Sequence, residues 1–375
     1  MTETDPAEIY IGLMSGTSLD GIDVAIVDFN VKPPKLLFCQ TFSYHDTIKL
    51  RIKEITLNKT TSIDSLCQLN IELGHAYAMA VNKSLKSSGL DSSQITAIGN
   101  HGQTIRHCPD ATFPYTLQAG DPNTLAVETN ITTVADFRGA DIALGGQGAP
   151  LVPAFHQTVF SSSTTNRAII NIGGIANATY LPSNPTEKIM GFDTGPGNTL
   201  SDYWVNLHKN AAYDEAGQWA KTGKIIDKLL AKMVEKEPFF SRSAPKSTGT
   251  DYFNASWLAT FNINDYAPND IQTTLVELTA LSIANSISGL PTQQIECYVC
   301  GGGVKNLYLL ERIQKRLPAL LIQTTETLGI DPDYVEAIAF AWLAKQRIDL
   351  KPGNIPSSTQ ANRPAILGGI YSSNH

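Results

Sequence analysis

Positive charge is scarce in this sequence: 28 Lys and Arg stand against 35 Asp and Glu, for a net charge of −7, and no basic stripe runs along the chain. Such stripes neutralise a phosphate backbone, so nucleic acid is not an expected partner. An anionic small molecule remains open through local Arg and backbone N–H groups. No apolar run is long enough to span a bilayer. Residues 1–8 are polar and acidic, without the basic and then apolar pattern of an export signal. Cysteine is sparse, with five scattered residues. Reduced thiols and no visible export signal favour a cytoplasmic location. Cys297 and Cys300 form a C-x-x-C, but they fall three apart in a predicted strand, 296–300, and so point to opposite faces. They read as small buried residues. His101 and His107 have no Cys or Glu at ligand spacing, which makes metal ligation a poor reading.

What is present is ordinary for a two-domain enzyme: 375 residues, 42% hydrophobic and 17% charged, with 28 Gly gathered in short clusters. Clustered Gly marks tight loops and close backbone approach. Strands are predicted over 9–14, 22–29 and 35–44, with a turn over 15–21. A helix over 63–87 follows from the near-3.6 spacing of Leu66, Leu69, Leu73, Ala76 and Ala80, with Gly89 as its stop. A short strand, 95–98, runs into Asn100-His101-Gly102-Gln103. The second half repeats the opening, with strands over 167–172, 176–181 and 189–192, then helices including 225–235 and 271–288. A last helix is predicted over 332–347, with Asp331 as N-cap and Pro332 at its first position. The pattern is a duplicated α/β domain with a cleft between the copies: residues 1–135, residues 136–349, and a tail, 350–375, packed back on the body.

Five constellations carry the candidate chemistry. The turn Ser15-Gly16-Thr17-Ser18-Leu19-Asp20-Gly21-Ile22-Asp23 offers hydroxyls and N–H groups that cradle phosphate oxygens, and Asp20 or Asp23 can hold Mg²⁺ through water. It lacks the Lys of a Walker A loop and also reads as a plain hairpin turn. Gly173-Gly174 is its counterpart in the second half. Asp193 ends an apolar strand beside Gly195-Pro196-Gly197, a placement that suits a general base, although residue type alone somewhat favours a cap on the helix after it. His101, Gln103 and Thr104, with Asp136 and Arg138 downstream, suit sugar hydroxyls and a carboxylate, or form an ordinary polar loop. Glu336 shares a helix face with Phe340 and Leu343, which is costly unless paired or functional, although a surface position near the helix start is also open.

Taken in order, MSGTSLDGID, NHGQTIRH, VADFRGADIALGGQGAPLVPAFH, NIGGIANATYL, GFDTGPGN, KSTGTDYFN, CGGGVKN and VEAIAFAWLA resemble the anhydro-N-acetylmuramic acid kinases over nearly the whole chain. The resemblance implies the two-lobed actin-like ATPase (ribonuclease H-like) fold with a central ATP and sugar cleft. It implies ATP-dependent phosphorylation of 1,6-anhydro-N-acetylmuramic acid at O6 with hydrolytic opening of the anhydro bridge, in murein recycling. It makes Asp193 the general base and the 16–23 loop an ATP-binding segment, with Mg²⁺ and the Gly-rich turns bearing phosphate charge. Glu336 would orient the water or the sugar, and Gly301, Gly302, Gly303 and Asn306 belong with the nucleotide. It also implies a homodimer. Thr250-Asp251 stands where Arg-Glu is common in the family, which puts that loop's contacts in question. A kinase of another anhydrosugar, such as levoglucosan, and a nucleotide-switched binding protein like actin or the heat-shock ATPases are the alternatives.

Overall fold

The structure is a computed structural model that describes residues 8–373 except 17, 18, 20, 59 and 293. The chain divides into two compact units, Met1–Val159 with Tyr334–His375, and Phe160–Asp333. In the first unit β1 (Ile9–Ser15), β2 (Ile22–Asp28) and β3 (Lys35–Phe42) are followed by α1 (Asp46–Leu57), α2 (Ile63–Ser88), β4 (Ile95–Cys108), β5 (Tyr115–Ala119) and β6 (Thr133–Ala135). The second unit holds β7 (Asn166–Ile172), β8 (Ile175–Leu181), β9 (Met190–Pro196), α3 (Thr199–Lys209), α4 (Pro268–Ser288), β10 (Ile295–Cys300), α5 (Leu307–Arg316) and β11 (Ile322–Thr324). The chain then returns to the first unit through α6 (Val335–Ile348) and β12 (Gly369–Tyr371).

The two units repeat one topology. The first sheet contains the order β3-β2-β1-β4-β6, with β12 added beside β6 and β5 paired to β4; the second runs β9-β8-β7-β10-β11. In both, the first two pairings are antiparallel and the last two parallel. Each is thus a three-stranded meander continued by two crossovers, the ribonuclease H-like topology of the actin-like ATPases. β1 is buried at every position, so it reads as a continuous apolar run, not an alternating one. α2 begins where the Ser62 side chain accepts from Ser65 N–H and ends at Gly89, whose φ of 73° supplies the left-handed stop. In the first unit Ile52, Leu69, Leu73 and Tyr77 pack beneath the sheet, and in the second α4 and α5 cover β7, β8 and β10.

α6 belongs with the first sheet, not with the 136–349 segment expected from sequence, because it packs across β1 and β4. Two glycines seat it. Gly12 and Gly99 are register partners, and a Cβ would lie 1.8 Å from Ala337 O at Gly12 and 2.0 Å from Phe340 O at Gly99. The helix backbone therefore rests directly on the sheet. It also starts later than expected: Asp331 Oδ1 accepts from Asp333 N–H, Pro332 O accepts from Gly301 N–H, and Tyr334 is the N-cap. The expected 95–98 strand is the first quarter of a 14-residue strand, so the NHGQTIRH segment is sheet, not loop. α1, β5, β6, β11 and β12 were not foreseen.

Candidate active site

In the first unit, β1 and β4 place Ser15 opposite Gln103. Ser15 Oγ donates to Gln103 Oε1 at 2.6 Å and accepts from Tyr44 OH at 2.6 Å, and Tyr44 OH lies 3.3 Å from Tyr77 OH. All four residues are buried. Burial pushes the Tyr44 phenol up to about 12, so the chain stays neutral. The Ser15 and Gln103 side chains thus tie the first turn to β4. In the turn itself Leu19 holds a φ of 58° and its N–H reaches Gly16 O. A side chain with β-substituents rarely sits there, which marks a strained turn. Gly21 is required by space, since a Cβ would lie 2.7 Å from Thr41 Cγ2. Asp23 accepts from Thr41 Oγ1 at 2.6 Å. Thr17, Ser18 and Asp20, including the magnesium assignment to Asp20, lie outside the described residues.

β4 and the residues after β6 bring His101 and Arg138 together. Arg138 Nη2 and Nε stand 2.8 and 3.3 Å from His101 Nε2, and Arg138 Nη1 donates to Gly148 O at 2.7 Å. A guanidinium donates only, so Nε2 accepts and the neutral ring carries its proton on Nδ1. Burial, followed by the Arg138 charge, holds the imidazole well below its usual range. Its ring packs on Phe340 at 4.7 Å. Arg138, itself lowered by burial, is supported by the charges of Glu336 and Asp141. His101, Arg138 and Glu336 therefore share one electrostatic neighbourhood in this unit. Asp136 follows β6 with a φ of 57°, and its carboxylate accepts from Gly139 N–H at 3.2 Å while desolvation raises its pKa. Thr104 Oγ1 accepts from Gln118 Nε2 at 3.3 Å. Arg106, two residues on, instead donates to the carbonyls of Ile55, Thr56 and Asn58 at the end of α1.

In the second unit Asp193 sits within β9, opposite Asn177 of β8, so it is a strand residue. The helix after it has Asn198, not Asp193, at its N-cap position, with no side-chain capping bond there, and the Asp193 carboxylate accepts from Thr248 N–H instead. Asp193 N–H donates to Lys246 O and Thr248 N–H donates to Asp193 Oδ2, both at 2.9 Å. Burial pushes its carboxyl up to about 7, and the Thr248 N–H and the Lys246 charge offset part of that. A carboxylate with a pKa near the working pH is matched to general-base work. The contact from this loop is a backbone N–H, so it does not depend on the Thr250-Asp251 side chains. Lys246 Nζ donates to Phe239 O at 3.3 Å and lies 4.6 Å above the Phe239 ring.

The glycine turns of this unit differ in why they are glycine. At Gly301 (φ 80°) and Gly303 a Cβ would strike Asn171 Oδ1 at 2.3 Å and Ile172 Cγ2 at 2.4 Å, so the fold demands them. At Gly173 a Cβ would meet only Ile175 O at 3.6 Å, and at Gly302 nothing within 4 Å. Packing does not require glycine at these two positions, and their open faces suit the close approach of a phosphate. The Gly173 and Gly174 carbonyls are taken by the N–H groups of residues 197–199. Asn306 Oδ1 is spent on the N-cap of α5, accepting from Leu309 N–H at 3.0 Å. Cys297 and Cys300 are buried and neither forms a disulfide; Cys300 Sγ donates to Asn171 Oδ1 at 3.8 Å, and burial pushes the Cys297 thiol up to about 12. Gly302→Ala should therefore fold as well as the parent, or better by about 0.4–1 kcal/mol, because Ala narrows the unfolded ensemble. On the expectation that this face takes a nucleotide phosphate, the variant should still raise KM for ATP about tenfold, the equivalent of ~1.4 kcal/mol. Unchanged nucleotide affinity by calorimetry would assign that open face to something else.

The described residues hold no helix long and apolar enough to cross a membrane, and no group of three or more His, Cys, Asp or Glu that could hold a metal ion. The family described as anhydro-N-acetylmuramic acid kinase matches residues 8–373. A protein of that name from Coxiella burnetii is 48% identical over 367 residues, covering 98% of both chains. Others so named are those of Saccharophagus degradans, 49% identical over 97% of this chain and 98% of the relative, and of Pasteurella multocida, 47% over 96% of both. Among solved structures, the component A of (R)-2-hydroxyglutaryl-CoA dehydratase from Acidaminococcus fermentans overlays with a TM-score of 0.48 at 12% identity, over 89% of this chain and 96% of that one.

Proposed function

Because the chain belongs to the anhydro-N-acetylmuramic acid kinase family, we propose that it uses ATP to phosphorylate 1,6-anhydro-N-acetylmuramic acid and opens the anhydro ring in the same event, giving N-acetylmuramic acid 6-phosphate for murein recycling. The observation that carries the chemistry is Asp193, a strand carboxylate held near a pKa of 7 with one oxygen fixed by a backbone N–H. An anhydrosugar has no free O6 hydroxyl, so a base that deprotonates an alcohol has nothing to act on. Asp193 instead takes the proton from a water that attacks the anomeric carbon. The C1–O6 bond breaks, and O6 captures the γ-phosphate as ADP leaves. This is the logic of an inverting glycosidase, with phosphate in place of the acid. Arg138 and neutral His101 hold the sugar, the guanidinium suiting its lactyl carboxylate, and Glu336 orients the water or the sugar.

The open faces at Gly173 and Gly302 fit the nucleotide phosphates. A Mg²⁺ ion fits a site with one protein carboxylate and several phosphate oxygens, as Asp23 or Asp20 would provide; when bound it neutralises phosphate charge. The enzyme works in the cytoplasm as a homodimer, where ATP is plentiful. In ¹⁸O-labelled water the label should appear at the anomeric carbon of new product and not in its phosphate. The first anomer seen by rapid NMR, before mutarotation, should be α. Label in the phosphate or an initial β anomer would overturn the mechanism.

A further inference from the structure

Asp141 is fully buried, yet its carboxylate touches no cation within ion-pair distance among the described residues. It instead accepts from three neutral donors, one in the turn that follows it and two in the distant C-terminal stretch. Oδ2 accepts from Gly148 N–H at 2.8 Å, and Oδ1 accepts from Asn354 Nδ2 at 2.6 Å and Thr359 Oγ1 at 2.7 Å. Its own carbonyl accepts from Gly146 N–H at 2.9 Å. The C-terminal stretch closes on the same turn by backbone bonds: Gln147 N–H to Thr359 O at 2.6 Å and Asn362 N–H to Leu144 O at 3.0 Å. Asn354 is held in turn, its Oδ1 accepting from Ala365 N–H at 2.7 Å. The turn is so close to the carboxylate that a Cβ at Gly146 would lie 2.2 Å from Asp141 Oδ2. At the far side of the turn Gly148 O receives Arg138 Nη1, and the same guanidinium holds His101 Nε2.

A buried charge is retained only where it is well satisfied, and here every donor serves to fix one turn. We propose that Asp141 and the C-terminal segment 354–362 are the positioning apparatus of the sugar site: together they lock the 145–148 turn so that Gly148 O aims the Arg138 guanidinium. The specificity for the carboxylate-bearing sugar would then depend on residues that never touch it. This rests on the reading of Arg138 as a sugar-binding group. The tail thus acts on the substrate through two relayed contacts, with no direct one of its own.

The test is steady-state kinetics of the purified full-length enzyme with ATP and 1,6-anhydro-N-acetylmuramic acid. Asp141→Asn leaves an acceptor for the tail but can turn an amide N–H toward Gly148 N–H, breaking the turn side alone. Thr359→Val removes a donor from the tail side. Both should raise KM for the sugar, Asp141→Asn about tenfold and Thr359→Val less, with kcat within a few-fold and KM for ATP unchanged. Thr359→Ser, which keeps the hydroxyl, should behave as the parent. If Asp141→Asn does not fold, Thr359→Val and Asn354→Ala carry the test. A lower Tm with an unchanged sugar KM in these variants would overturn the proposal and leave Asp141 a stabilising residue. Arg138→Lys separates the two levels. If it raises sugar KM while the Asp141 and Thr359 variants do not, the positioning role alone fails; if it too leaves sugar KM unchanged, the assignment of Arg138 fails first.

Discussion

Asp193→Asn is expected to fold, to bind ATP with parental affinity, and to lose turnover by roughly 10²–10⁴-fold, the usual cost of removing a general base. Asn is isosteric and its Oδ1 still accepts from Thr248 N–H, so the loss is of basicity and not of geometry. In the parent, kcat/KM should rise with pH through an apparent pKa of about 7, the value to which burial pushes this carboxyl. The same burial has a thermodynamic counterpart. The folded pKa lies above the unfolded value of 3.8, so the native state holds the proton more tightly. That contribution to stability is complete below about pH 4 and is lost as pH rises through about 7. Asn carries no charge to desolvate. The Tm difference between Asp193→Asn and the parent should therefore grow from pH 5 to pH 8 in favour of the variant, reaching about 2 °C or more. Turnover close to the parent's would remove Asp193 from the reaction, whereas a pH-independent Tm difference would remove only the desolvation argument.

Gly99→Ala should be nearly as damaging without touching a reacting group. Its Cβ would stand 2.0 Å from Phe340 O, which is backbone and has no rotamer to yield, so α6 must move by an ångström or more. Overpacking of this kind costs about 1–3 kcal/mol. The larger effect is on catalysis, because α6 carries Glu336 in its first turn and Phe340 against the His101 ring. A displacement of ~1 Å in a positioned group costs on the order of 10²-fold in rate. Gly12→Ala, its register partner facing Ala337 O, should give the same result. Gly89→Ala is the control, since a Cβ there meets nothing within 4 Å; it is strained by its φ of 73° and should lose stability with little loss of kcat. Parental kcat in a folded Gly99→Ala enzyme would show that the position of α6 is not critical to the reaction.

Much of the architecture was legible along the chain because the signals are local. β1, β2, β7 and β8 are short apolar runs interrupted by Gly-rich turns, and α2 announces itself by its 3.6 spacing, its cap at Ser62 and its stop at Gly89. What failed to show was where polarity and burial coincide. Asn100, His101 and Gln103 look like loop, yet all three are buried in β4, where Asn100 Nδ2 reaches Gly120 O and Gln103 meets Ser15. A polar residue whose partner lies tens of residues away has no sequence signature distinct from one that faces water. β5, β6, β11 and β12 were missed for a related reason: of three to five residues, they exist as strands only through neighbours that hold them.

The sequence by itself determined the duplicated topology, the family, the glycine turns and Asp193 as the candidate base, because each rests on residue type and order within a few positions. Tertiary structure decided which partners the nominated groups have. It joined Ser15 to Gln103, set Asn306 Oδ1 on a helix cap and brought His101 to Arg138. It also decided which glycines the fold needs, Gly301 and Gly303, and which it leaves open, Gly173 and Gly302. It brought Asn354 and Thr359 to Asp141 across more than 200 residues of chain. The physical reason is common to all: a hydrogen bond or a steric contact is a property of distance in space, and only folding converts separation along the chain into proximity.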